Sequence, residues 1–234
     1  MSKNDDYSPP KSSGGDAAHA MARAGLGTIP VVGAAATELF TAIVTPPLEK
    51  RRNEWMLKVG EALKKLEEQK GIKLDELKNN DAFIDIVMHA SQAAIRNSQE
   101  EKLQALRNAV LNSALPNPPE ESIQQMFINF VDTLTSWHLK LLDLVKDPEV
   151  WAKRHGHTFP NLMAGGFSTI IESAFPELRG RRDFYDQLGK DLTYRGLAST
   201  DNFHVTTTGR ALTQKRTTGM GDSFMKFISD PIEK

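Results

Sequence analysis

Between Pro47 and Asp147, apolar residues recur every three or four positions in four successive stretches, each bounded by Pro, Gly or residues that cap helices. An α-helix turns once in about 3.6 residues, so this spacing lays one oily stripe along each helix. A stripe must be covered, and short connections leave the four helices mainly one another as cover. The chain is therefore expected to be mainly α, with a helical bundle over 17–148.

The stripe of the first stretch, 47–70, is Leu48, Trp55, Val59, Leu63 and Leu66, with Pro47 in the opening turn and Gly71 as the stop. Residues 80–96 repeat the pattern through Phe83, Val87, Ala90 and Ala94. Ser98-Gln-Glu-Glu101 reads as a capping box opening a helix over 99–115, striped by Leu103, Leu106, Val110 and Leu111 and ended by Pro116. One long helix is expected over 119–146, carrying Ile123, Met126, Phe127, Phe130, Leu134, Trp137, Leu141, Leu142 and Val145, with Asp147-Pro148 as its end. That stripe reads as core rather than as a cofactor box.

The start of the chain has a different texture. Residues 1–16 are rich in Ser, Pro, Gly and charge and read as a disordered tail. The apolar segment 24–44 carries a single charge, Glu38, and is punctuated by Gly25, Gly27, Pro30 and Gly33 ahead of Phe40. A helix is expected from about Gly33 to just before Pro46-Pro47. Its small residues allow close packing, either as a buried hairpin of the bundle or against membrane or partner helices. Glycines, a proline and a glutamate make it a poor membrane span. Lys50, Arg51 and Arg52 follow it and suit either lipid headgroups or plain surface.

After the bundle, residues 149–234 read as a winged-helix-like module. Short helices are expected over 160–175 and 181–196, then a small β-hairpin over the threonine-rich 203–218 centred on Gly209, then a closing helix over 221–229. Leu188 and Leu192 pack inward, and Gly196 lets the chain leave its helix. Such a module can bind duplex DNA, for which Arg181, Arg182, Lys190 and Arg195 on the helix and Arg210, Lys215 and Arg216 on the wing are the candidate phosphate contacts. Asp183, Asp186 and Asp191 on the same helix oppose that reading.

Composition narrows the function classes. The net charge is −1, divided as +3 over 151–234 and −4 over the rest, which is too even to draw the chain to nucleic acid by field alone. There are no cysteines, which removes disulfides, thiolate nucleophiles and cysteine zinc sites. The polar start lacks the pattern of a secretory signal, so a cytoplasmic protein is expected, with membrane association possible only through 24–44. His155-Gly-His157 has metal-compatible spacing but no companion ligands, and His138 reads as a packed or surface histidine. Ser223-Phe-Met-Lys226 matches a nucleophile motif by letters alone. No phosphate loop, nucleophile elbow or zincin motif is present, so the chain reads as non-enzymatic, with no cofactor, no metal and no evident small-molecule substrate. A protein partner or self-association is the expected mode of action; the alternatives are a membrane-active or pore-forming effector that inserts the segment 24–44 and a winged-helix DNA-binding regulator.

The run Glu101-Lys-Leu-Gln-Ala-Leu-Arg-Asn-Ala-Val-Leu-Asn-Ser-Ala114, the long helix after it and the ending Thr218-x-x-Gly221-x-x-Phe224 resemble the abortive-infection alpha family of bacterial proteins. Leu106, Asn108, Leu111 and Ser113 occupy related places, and the likeness covers residues 98–228. The resemblance implies a role in bacterial defence against phage and a winged-helix-like tail. It implies no catalytic residues.

Overall fold

The computed structural model describes residues 34–200 and 202–232, with side chains from Leu48 onward. The expected tail over 1–16 and the candidate positions Gly25, Gly27, Pro30 and Gly33 lie outside the described residues. The chain forms two compact units, Met1–Glu54 and Trp55–Lys234, and it is mainly helical, as its stripes require.

Helix α1 spans Ala34–Lys70 and includes Phe40. It starts where expected but runs on through Pro46 and Pro47, where a stop was anticipated. Proline's fixed φ is compatible with a helix; what each ring forfeits is one donor to the carbonyl four residues back. The following residues, rich in Glu, Lys, Leu and Met, are strong helix formers that carry the turn onward. In the second unit Trp55, Val59, Ala62 and Leu66 of α1 are buried. Leu48, assigned to that stripe, is instead exposed.

A short helix, α2 (Leu74–Leu77), leads to α3 (Asp81–Arg96). Asn80 caps α3 by accepting the Phe83 N–H at 3.1 Å, and Trp55 Nε1 ties α1 to α3 by donating to Ser91 Oγ at 2.9 Å. Helix α4 (Glu100–Ser113) is the central element, packed on α3 and three further helices. The capping box expected at Ser98 does not form: the helix begins one residue later, behind Gln99. Glu101 turns to Lys140, 2.8 Å away, instead of reaching back.

The long helix expected over 119–146 is two helices, α5 (Glu121–Thr133) and α6 (Ser136–Lys146). Thr135 breaks the run by forming a reciprocal cap with His138. The hydrophobic spacing passes over the break unchanged, which is why periodicity alone hides it. Asp147-Pro148, read as a stop, is also a start: Asp147 Oδ1 accepts the Val150 N–H at 2.9 Å, and Pro148 takes the first position of α7 (Pro148–Arg154).

The expected helix over 160–175 shrinks to α8 (Phe167–Ala174), because the residues ahead of it form strand β1 (Ala164–Gly165). A single 3₁₀ turn, Pro176–Leu178, precedes α9 (Arg182–Tyr194). Helix α9 ends as expected at Gly196, whose φ of +70° favours glycine. Leu197 N–H reaches the Leu192 carbonyl at 2.9 Å and Gly196 N–H reaches that of Thr193 at 2.9 Å, the paired bonds of a Schellman stop.

A small antiparallel sheet is present near the C-terminus, but not as a hairpin over 203–218. Strand β2 (Thr207–Thr208) pairs with β1 far upstream, in the register Ala164↔Thr208 and Gly165↔Thr207. Gly209, expected at a hairpin turn, opens a helical turn, α10 (Gly209–Leu212). The ends of the segment are clamped by a bridge between Ala198 and Thr217, so the β-branched residues spend their strand preference on distant partners.

The closing helix α11 (Gly219–Phe227) packs on the bundle. Phe224 is fully buried, with its ring 5.4 Å from Phe127 and 5.9 Å from Phe130 in edge geometry. Thr218 Oγ1 caps the helix by accepting the Gly221 N–H at 3.0 Å. Helix α4 clamps the end of α11: Asn112 Nδ2 donates to the Phe227 and Ser229 carbonyls, each at 2.8 Å, and Asn108 Nδ2 to that of Ile228 at 3.0 Å. Arg107 adds an ion pair with Asp230 at 2.9 Å. One buried apolar cluster thus draws on α1 and α3–α9 as well as α11.

Candidate functional site

The first half of α4, the outer face of α6, helix α7, the end of α8 and the end of α11 enclose an open cleft of about 720 Å³. Its aromatic wall follows from the α6–α7 junction. Trp137, half-buried in the first turn of α6, meets Phe175 edge-on at 5.6 Å. Trp151, buried on α7, meets the same Phe175 at 5.4 Å. His155 stacks on Trp151 at 4.2 Å with its Nδ1 2.8 Å from the Trp151 carbonyl.

The rim is charged and paired. Lys140, one turn beyond Trp137, bridges to Glu101 and stands 5.2 Å over the Trp137 ring. Arg154 bridges to Asp143 at 2.9 Å. The Lys140 contact holds the Glu101 carboxyl below the ordinary carboxylate range. Both pairs are partly exposed, so their cost of exchange for other partners is modest. Chemically the cleft offers flat aromatic surface and charges of both signs that can be traded.

The His155-Gly-His157 spacing has a different origin from ligation. It is the stop signal of α7: His157 N–H returns to the Ala152 carbonyl at 2.8 Å, and Gly156 takes the φ of +59° that the turn needs. His157 Nε2 lies 3.0 Å from Ser173 Oγ. Among the described residues, no group of three or more His, Asp or Glu is placed to hold a metal ion. Ser223 Oγ donates to the Gly219 carbonyl within its own helix.

The seven basic residues weighed for phosphate contact are not equivalent. Arg216 is half-buried: its guanidinium donates to the carbonyls of Ala211, Leu212 and Gln214 at 2.7, 3.2 and 2.6 Å and lies 4.0 Å over the Phe167 ring. Burial lowers its pKa from the ordinary arginine value. Lys215 pairs with Asp222, and Arg182 with Asp186 at 3.4 Å. Arg181 stacks over Phe184 at 4.4 Å, and Arg195 lies 5.5 Å from the Phe130 ring. Lys190 and Arg210 are exposed. Asp186 is also taken, with His204 Nε2 at 2.8 Å.

Two buried titratable side chains carry no signal in the sequence. Lys102 is only 5% exposed and donates to the Asp132 carbonyl at the end of α5 at 2.8 Å; burial pulls its pKa below the ordinary lysine value. Its amphipathic position gave no signal, since a lysine on a helix reads as surface. Tyr185 is buried and donates to Glu172 at 2.9 Å, with burial and that carboxylate pushing its pKa up to about 12.

No helix of the described residues is long and apolar enough to cross a membrane. Comparison of the chain with protein-family models, with curated proteins and with solved structures returns no match.

Proposed function

We propose that the chain is a non-enzymatic bacterial interaction protein whose protein partner seats in the α4–α6–α7–α11 cleft, acting in defence against phage as the abortive-infection resemblance implies. The observation that carries the reading is the make-up of that cleft: an aromatic wall at Trp137 and Trp151 bordered by the exchangeable pairs Glu101–Lys140 and Asp143–Arg154. Aromatic anchors inside a polar rim are the usual anatomy of a protein contact. Residues 149–234, read as a winged-helix-like module, contribute to the cleft through α7, Phe175 and the end of α11.

Reversing the rim charges tests the proposal. Cells expressing the intact chain should lower plaque counts for at least one phage of a broad panel, and the K140E/R154E double variant should lose that protection while keeping its helical circular dichroism. A photo-crosslinking residue at position 154 should capture a discrete protein in the infected cells, and one at the exposed position 64 should not. Protection that survives the double variant, or none against any phage, overturns the reading.

A further inference from the structure

The elbow between α5 and α6 is built around one imidazole. His138 is 6% exposed, and each ring nitrogen has a fixed task. Nδ1 lies 3.1 Å from the Thr135 backbone nitrogen and 2.8 Å from the Thr135 hydroxyl. A backbone N–H can only donate, so Nδ1 presents a lone pair. Nε2 lies 3.2 Å from Asp191 Oδ2 on α9. An ionised carboxylate can only accept, so Nε2 carries the hydrogen. The two neighbours together select one neutral tautomer.

The charges facing the ring come from two elements. Asp191 and Arg195 approach from α9 and its end, and Lys102 from α4. Burial and the two cations oppose a positive ring, and the Asp191 carboxylate, itself 41% exposed, favours one. Trp137 and Lys140, which line the cleft, flank His138 within the same turn and a half of α6.

We propose that His138 is a proton-operated latch: a proton taken up at Nδ1 releases the Thr135 amide and loosens the elbow that presents Trp137 and Lys140 to the cleft. The proton arrives from solvent and occupies the lone pair. The Thr135 hydroxyl turns round to accept the new N–H, and Nε2–H stays on Asp191, now as an ion pair. The Thr135 backbone N–H alone is displaced, because it cannot reverse its role. The cleft thereby acquires a setting that depends on pH, whatever occupies it.

Nuclear magnetic resonance on the full chain tests this without reference to a partner. The ¹⁵N shifts of the His138 ring report its tautomer and titration, and exchange of the Thr135 amide, corrected for intrinsic rate, reports the latch. The expected result is the Nε2–H tautomer near neutral pH and about a tenfold fall in Thr135 protection as the pH is lowered through the ring titration, sharing its midpoint. The amides of Leu141 and Leu142 should keep theirs. In H138Q, whose amide oxygen can accept the same N–H without taking up a proton, Thr135 protection should be flat over that range. An Nδ1–H tautomer at neutral pH, constant Thr135 protection while the wild-type ring titrates, or an equal fall in H138Q would each overturn the proposal. Should H138Q not fold, the common midpoint in the wild-type chain decides alone.

Discussion

At the scale of single residues, the ending Thr218-x-x-Gly221-x-x-Phe224 is a packing device. Thr218 caps the helix, Phe224 fills the space beside Phe127, and Gly221 lets the two chain segments meet: a Cβ there would stand 2.0 Å from the Leu197 carbonyl oxygen. Since the obstacle is backbone rather than a side-chain tip, G221A should lower stability by about 2–4 kcal/mol in urea unfolding. Titration makes a second prediction. Burial, ahead of all other causes, lowers the His138 pKa in the folded chain from its ordinary 6.5. The unfolded chain therefore binds the proton first, so His138 contributes stability that is present above about pH 6.5 and lost as pH falls through the lower folded value. Glu101, whose pKa falls from 4.5 chiefly through its Lys140 hydrogen bond, loses its contribution only in more acid solution. The melting temperature of the wild-type chain should thus begin to drop below about pH 6.5, and H138Q should flatten that first part of the curve.

At the scale of elements, the stretch from Ala198 to Thr217 shows how a segment whose strand β2 pairs outside it is fixed. Its ends are tied by the 198–217 bridge, its middle by β2 against β1, and its turn by the Arg216 guanidinium. A planar fork is needed to serve three carbonyls while standing over the Phe167 ring. R216A should cost about 1–3 kcal/mol, and R216K should recover little of it, which chemical denaturation of the three proteins would reveal. If lysine restored full stability, the fork geometry would be irrelevant and charge alone would hold the turn. The same residue shows why a basic side chain on an expected wing cannot be assumed to face a phosphate.

At the scale of the whole molecule, the second unit has no seam at the junction where a bundle and a separate module were expected to meet. Asn108 and Asn112 of α4 hold the carbonyls after α11, Arg216 N–H bonds the Val145 carbonyl of α6 at 2.8 Å, and His138 of α6 binds Asp191 of α9. Cutting between residues 148 and 149 would bare Phe127 and Phe224 together. Residues 1–148 and 149–234 expressed apart should therefore each lack a cooperative unfolding transition, while the intact chain gives a single transition for residues 55–234 by tryptophan fluorescence and circular dichroism. Two independent, cooperative fragments would restore the two-part division.

What the sequence alone determined is what local spacing can encode. The stripes of Trp55, Val59 and Leu66, of Phe83, Ala90 and Ala94, and of Leu106, Val110 and Leu111 specify helices, because neighbours three and four apart share a face wherever that helix lies. Gly71 and Gly196 mark stops for an equally local reason. Tertiary structure decided everything that depends on a partner far along the chain. His138, which caps the break at Thr135, also reaches Asp191 of α9, and β2 pairs with Ala164 and Gly165 far upstream rather than across a turn of its own. The cleft belongs to this second class: Trp137 and Lys140, like Trp151 and Arg154, sit three apart on their own helix, but nothing in the spacing links the two pairs to each other or to Glu101, and only the packing of α4, α6, α7 and α11 gathers them around one space.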